Sequence, residues 1–308
     1  MTSTIIEVEG LTKKFGQKTV VHDANFKITR GEIFGLIGQN GAGKSTLLKM
    51  IGGLMYPTSG NIHFFDRAAT DYASCFERMG LLIEHPGLYP QYTAYDNLKL
   101  LAISYGLKQY KQYISELLEL VGLDASNKTK VKHYSMGMKQ RLGIAIALLG
   151  SPDVLILDEP INGLDPQGIA EIRELILDLN KKGLTIVISS HILEELSKVA
   201  SKYAILHKGE IIEVISKDDL LLRCEERIEV VVDDVSKALP VLEQELRMKQ
   251  FKVIDTHTLH IYDTHMNNQQ IVKLLASHDQ YVRSITNHKT SLEQYFLERT
   301  EKVGGSLD

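Results

Sequence analysis

GQNGAGKST occupies residues 38–46. The spacing fits G-x-x-x-x-G-K-[ST], a loop that wraps phosphate. Glycines let successive backbone N–H groups turn inward, and a helix that starts at the loop adds the positive end of its dipole. Gly38, Asn40, Gly41 and Gly43 are the loop positions assigned to a nucleotide. Lys44 is placed to reach the β- and γ-phosphates, the Ser45 hydroxyl to hold Mg²⁺, and Thr46 to bond the α-phosphate. The surroundings agree with the motif. Ile33 to Ile37 is a short apolar run and Lys44 to Gly53 has helical character, so the order is strand, Gly-rich turn, helix.

Outward from this point, strands and helices alternate. Residues 5–9, Val20 to Ile28 and 60–65 read as strands. Apolar residues recur at helical spacing from Asp96 to Val121, with a break near Gly106, and again over 138–149. Val154 to Leu157 is continuously apolar, as expected of a parallel strand buried on both faces. Helix 168–182 ends at Gly183, strand 184–189 follows, then helix 192–201. The implied fold class is α/β with a mostly parallel sheet. The pattern changes after about residue 215. Strand 227–233, helix 236–249, strands near 251–255 and 258–262, helix 268–277, strand 280–286 and helix 290–299 give the order β-α-β-β-α-β. That order resembles a ferredoxin-like α+β unit.

Two further stretches carry chemistry. Residues 154–160 read VLILDEP, an apolar strand ending in two carboxylates. Successive strand residues point in opposite directions, so the acids take different tasks. Asp158 is the candidate Mg²⁺ partner, and Glu159 the candidate base that orients or deprotonates an attacking water. Residues 134–141 read YSMGMKQR and lead into a helix. Ser135 and Gly137 offer a hydroxyl, a close backbone and a helix N-terminus together, a second phosphate-binding shape.

Taken together these stretches resemble the ATP-binding cassette (ABC) ATPase family, in which YSMGMKQR falls where the LSGGQ signature is found. Tyr134 replaces the Leu, Met136 the first Gly, and Met138 and Lys139 follow where the family has Gln. The resemblance implies a P-loop NTPase nucleotide-binding domain over residues 1–215, a helical subdomain at about 85–150, and an accessory domain over 216–308. It makes Phe15, which lies 23 residues before Gly38, the adenine-stacking aromatic. Gly163-Leu164-Asp165 matches the loop that crosses the dimer interface, and Ser189-Ser190-His191 the switch histidine that contacts the γ-phosphate. The flanking text GLYPQYTAYDNL places Glu84 where the family has a Gln, and the register argues against Gln91 as a substitute. Glu keeps an acceptor for Mg²⁺ or the lytic water but loses the amide donor. The implied machine hydrolyses Mg-ATP as a head-to-tail dimer. Lys44, Glu84, Asp158, Glu159 and His191 act from one subunit, and Ser135 and Gly137 from the other. The implied partner is a separate transmembrane permease, which would hold the chain at the cytoplasmic face of the cell membrane. The MGMKQRL stretch, Glu84 and the tail from Ser291 to Thr300 are similar to the ATPases of bacitracin-resistance and lantibiotic self-protection exporters.

Composition narrows the choices. The formal net charge is −4 and the charged fraction 24%, so nucleic acid is not an expected partner. Cys75 and Cys224 are far apart and in no metal spacing. The first residues lack the apolar core of a secretory signal, and no stretch reaches the ~18 apolar residues that cross a bilayer. Two other readings remain at this level. A soluble cassette ATPase acting on the ribosome or DNA has against it the lone P-loop and the short spacing between Lys44 and Asp158. A regulatory module that holds ATP without turnover has against it the intact Lys44, Glu159 and His191.

Overall fold

The computed structural model describes residues 3–65, 75–224, 227–246, 248–263, 267–288 and 291–304. In chain order its first part runs β1 (Thr4–Phe15), β2 (Lys18–Thr29), β3 (Ile33–Ile37), α1 (Lys44–Ile51), β4 (Ser59–Phe64) and β5 (Met79–Leu82). Then come α2 (Ala94–Ser104), α3 (Tyr110–Leu120), α4 (Met136–Leu148), β6 (Val154–Asp158), α5 (Pro166–Lys181), β7 (Thr185–Ser190), α6 (Leu193–Ser197), β8 (Lys202–His207) and β9 (Glu210–Ser216). Internal contacts divide the chain into one unit built on Met1–Lys217 and another on Asp218–Glu301.

The larger unit holds two sheets among the described residues. An antiparallel one has the order β2-β1-β4, and a six-stranded one the order β5-β6-β7-β3-β8-β9. The first five strands of the second are parallel and β9 is antiparallel to β8. Every residue of β3, β6 and β7 is buried, which is why their sequences are continuous apolar runs rather than alternating ones. The neighbouring strands β3, β6 and β7 point the same way, so Gly38, Glu159 and His191 leave the sheet at one edge. In open parallel sheets that edge is where ligands bind.

Several boundaries differ from the sequence reading. β5, at the edge of the sheet, is only four residues long and gives no periodic signal; a side chain at its Gly80 would lie 2.1 Å from the Ala147 carbonyl oxygen of α4, so the glycine permits a close crossing. β8 and β9 form a hairpin over a Lys208-Gly209 turn with both φ positive, 47° and 89°, in a stretch with no sequence assignment. The helix read over 192–201 is confined to Leu193–Ser197, because Ser201 N–H donates to the Ile33 carbonyl at 2.9 Å and draws the chain into the sheet.

The smaller unit comprises α7 (Lys217–Cys224), β10 (Arg227–Val232), α8 (Val235–Leu246), β11 (Phe251–Val253), β12 (Thr258–Ile261), α9 (Asn268–Ser277), β13 (Val282–His288) and α10 (Leu292–Gly304). Its strand order is β11-β12-β10-β13, antiparallel throughout. With one helix after β10 and one after β12, this is the ferredoxin-like arrangement. Ile228, Val230, Leu259 and Ile261 pack against Ala238, Leu242, Ile271 and Leu275 of the two helices. The last strand begins two residues later than its pattern indicated, since the chain turns at Asp279, φ 55°, before entering the sheet.

Candidate functional site

The phosphate loop is held open by its backbone. Gly41 and Gly43 have φ of 81° and 108°, values a side chain rarely adopts. A Cβ on Gly38 would stand 2.6 Å from the Leu206 carbonyl oxygen, and one on Gly43 2.8 Å from that of Val20. Strand β2 and the end of β8 therefore press directly on the loop. The β8–β9 turn completes the support: Gly209 N–H donates to the Ala42 carbonyl at 3.0 Å. Helix α1 starts at Gly43 with no side-chain cap and no acidic residue in its first turn. Its leading N–H groups are thus left for an anion, and the cradle fits a phosphate chain.

Lys44 is buried, and its Nζ donates to the carbonyls of Gly38 at 2.7 Å and Gln39 at 3.2 Å. The same Nζ stands 3.1 Å from Glu159 Oε1, an oxygen that is buried and accepts no hydrogen bond. Glu159 Oε2 is 2.8 Å from His191 Nδ1. Glu159 itself has φ 49°, a left-handed conformation that carries strain in a non-glycine residue and clusters at functional sites. Asp158 lies beside it, 4% exposed, and accepts a hydrogen bond from Ser189 Oγ at 2.5 Å. One lysine, two carboxylates and a histidine thus converge at the carboxyl edge of the sheet.

Ser135 and Gly137 belong to a separate cluster. Ser135 caps α4, its Oγ accepting from Met138 N–H at 3.2 Å. Asp165 caps α5 in the same manner, Oδ1 accepting from Gly168 N–H at 2.9 Å. The two caps line one open cleft together with Met136, Gly137, Gly163 and Leu164, and no residue of the phosphate loop lines it.

The comparisons with known proteins agree with this geometry. The family model described as ABC transporter matches residues 21–162. The bacitracin transport ATP-binding protein BcrA of Bacillus licheniformis is 40% identical over 98% of this chain and 98% of its own length. The chain belongs to the ATP-binding subunits of ABC transporters. The lantibiotic transport ATP-binding protein SrtF of Streptococcus pyogenes is 44% identical over 68% of this chain and 89% of its own. A solved dimeric cassette in a post-hydrolysis state with ADP and Pi superposes with a TM-score of 0.63 at 25% identity, covering 69% of this chain and 99% of that one. This ABC subunit is therefore similar along nearly its whole length to BcrA and over about two thirds of it to SrtF. No helix among its described residues is long and apolar enough to cross a membrane.

Two sequence-assigned residues sit at the margins of the ABC site. Phe15, at the tip of the β1–β2 hairpin, is 49% exposed, with Lys13 Nζ over its ring at 5.2 Å from the centre. Glu84, φ 64°, pairs with Lys49 of α1 at 2.5 Å. That hydrogen bond holds its carboxyl below the ordinary carboxylate range. The sequence reading groups Glu84 with Asp158 and Glu159 in one site and does not single out Lys49. Ser189 was named only as part of the stretch leading to His191, with no role of its own, and Gly209 was passed over. The signal for Ser189 was two adjacent hydroxyl residues closing an otherwise apolar strand.

Proposed function

We propose that this chain is the ATP-hydrolysing subunit of an exporter for a peptide antibiotic or drug, working as an ATP-closed dimer beneath a separate membrane permease, at the cytoplasmic face of the membrane. The observation that carries the reading is the divided site: the phosphate loop with Lys44, Glu159 and His191 converge in one place, while the Ser135 cap faces an open cleft without them. A second copy placed head to tail brings its Ser135 and Gly137 to the γ-phosphate of the first. Asp165 would stand at that interface, and Phe15 would stack on adenine, a contact worth about 1–3 kcal/mol per base.

Within each site Lys44 exchanges its loop carbonyls for phosphate oxygens. Glu159 orients and deprotonates the attacking water, and His191, already on Glu159, turns to the γ-phosphate. Ser45, Asp158 and, in the sequence-based assignment, Glu84 are the residues that would hold Mg²⁺, which supplies charge neutralisation on the phosphates. The described residues contain no group of three His, Cys, Asp or Glu able to hold a metal ion. The buried carboxylate of Asp158 at the end of β6 and the Ser45 hydroxyl at the phosphate loop are donors that suit a cation bound by one or two carboxylates with nucleotide oxygens and water making up the rest.

The permease reading is supported by an apolar groove at His85, Pro86, Leu88, Pro90, Val131 and Met136, which adjoins Glu84 in the chain and is lined both by the loop after it and by the signature stretch. The substrate class rests on the near full-length similarity to BcrA and on SrtF. Affinity capture of the chain from its native membrane, with ATPase assayed in the complex, is expected to recover a polytopic membrane protein that stimulates turnover, and the complex is expected to respond to peptide antibiotics. Recovery of ribosomes or DNA without a membrane protein would overturn the transporter reading.

Glu84 gives a narrower expectation. Glu84→Ala is expected to leave ATP affinity within about threefold and to lower permease-stimulated turnover by about tenfold or more, as loss of a group that acts only after binding does. Unchanged stimulated turnover would remove Glu84 from the mechanism.

A further inference from the structure

The Ser189 side chain is fully buried and is bonded in two directions. Its Oγ donates to Asp158 Oδ1 at 2.5 Å and accepts from Glu159 N–H at 2.9 Å. The register of the parallel pair explains the fit: Asp158 of β6 stands opposite Ser189 of β7. A single hydroxyl therefore binds the side chain of one acidic residue and the backbone of the next. The second bond falls where the chain departs from the strand, at the residue whose φ of 49° is left-handed. An L residue with that backbone needs a neighbour to hold it. On the other side of Glu159, His191 is attached to Oε2 and Lys44 approaches Oε1. Side-chain contacts thus set where the carboxylate points, and Ser189 sets where its backbone leaves the sheet.

We infer that Ser189 is a positioning residue for ATP hydrolysis, its hydroxyl holding Glu159 in the conformation that aims the carboxylate at the attacking water while fixing the rotamer of Asp158. The inference rests on the ATPase reading and on Glu159 as base. It assigns to Ser189 no contact with nucleotide. A hydroxyl that acted on Asp158 alone would matter for stability and for the cation assigned to Asp158, whatever stands at residue 159; a hydroxyl that aims Glu159 matters for the chemical step in proportion to what Glu159 contributes. A displacement of about 1 Å at a reacting group can cost on the order of a hundredfold in rate.

The test is a double-mutant cycle on the purified full chain, with steady-state Mg-ATP hydrolysis and thermal melting measured for the wild type, Ser189→Ala, Glu159→Gln and the double variant. Ser189→Ala is expected to lower kcat by about ten- to a hundredfold and to keep KM for ATP within about threefold, a split that shows the site still folds and binds. In the Glu159→Gln background the same change is expected to lower the residual turnover by no more than about twofold, because residues that act through one another are not additive. A kcat within about twofold of wild type overturns the inference. So does an equal fold-loss in both backgrounds, which would mark a role in the fold or through Asp158 rather than through Glu159, and so does a rise in KM without a fall in kcat. Absence of Mg-ATP turnover in the wild type would overturn the ATPase reading itself and the Ser189 assignment with it.

Discussion

Glu159→Gln is expected to reduce ATP turnover by about 10²- to 10⁴-fold, the range that a positioned general base contributes, with ATP affinity held within about threefold. Gln has nearly the shape of Glu, so the left-handed backbone at φ 49° and the bond from its N–H to Ser189 are kept. What is lost is the capacity to accept a proton. The charge that faces Lys44 at 3.1 Å is lost too, and this frees the lysine for phosphate rather than hindering it. Uncleaved ATP then remains between two phosphate loops and two Ser135 caps. Size-exclusion chromatography with Mg-ATP is expected to show the variant as a dimer, and the wild type as a monomer once its ATP has been hydrolysed. A variant that elutes only as monomer would rule out the divided, two-copy site. A variant that turns over at the wild-type rate would rule out Glu159 as base and move attention to His191, which shares its Oε2 at 2.8 Å.

The parts of this site that were legible in the sequence are those whose chemistry is local. A phosphate loop needs glycines at fixed positions because Gly41 and Gly43 must adopt positive φ and because Gly38 has no room for a side chain; those demands are written in consecutive residues. Asp158 and Glu159 were legible for the same reason, closing an apolar run that only a fully buried parallel strand explains. The β-α-β-β-α-β order of the smaller unit was readable from alternating periods, but of the strand order β11-β12-β10-β13 only the β11–β12 hairpin is a short connection, the other two pairings joining strands far apart in the chain. Contacts across long sequence separations were not readable. Lys49 meets Glu84 across 35 residues and Ser189 meets Asp158 across 31, and neither pair leaves a spacing that marks it. The strands β5 and β8–β9 were missed because a four-residue edge strand and a tight Lys-Gly hairpin carry too few residues to show a period. Ser135 shows a third limit: its motif is plain, but what it would complete in the proposed dimer lies on another copy of the chain.

Lys44→Met is expected to weaken ATP binding by at least about a hundredfold, measured by calorimetric titration with ATP and Mg²⁺. The lysine donates to two loop carbonyls and stands 3.1 Å from Glu159 Oε1, and with ATP bound the phosphate oxygens are expected to take the place of some of these. Hydrogen bonds to charged groups contribute about 1.5–3 kcal/mol each. Losing two of them costs about 3 kcal/mol or more, and each 1.4 kcal/mol is a factor of ten. Met keeps the length and the apolar stem of the buried side chain, so the effect reports the lost charge rather than a cavity. Lys44→Arg is expected to fail as a rescue. The pocket was shaped by a compact ammonium 2.7 Å from the Gly38 carbonyl, and a planar guanidinium fork with a longer reach cannot occupy it without displacing the loop. Affinity within threefold of wild type for Lys44→Met would mean that the backbone N–H groups and the uncapped start of α1 bind the phosphates unaided, and the lysine would then have to be assigned to Glu159 alone, as the cation that keeps a base in place until nucleotide arrives.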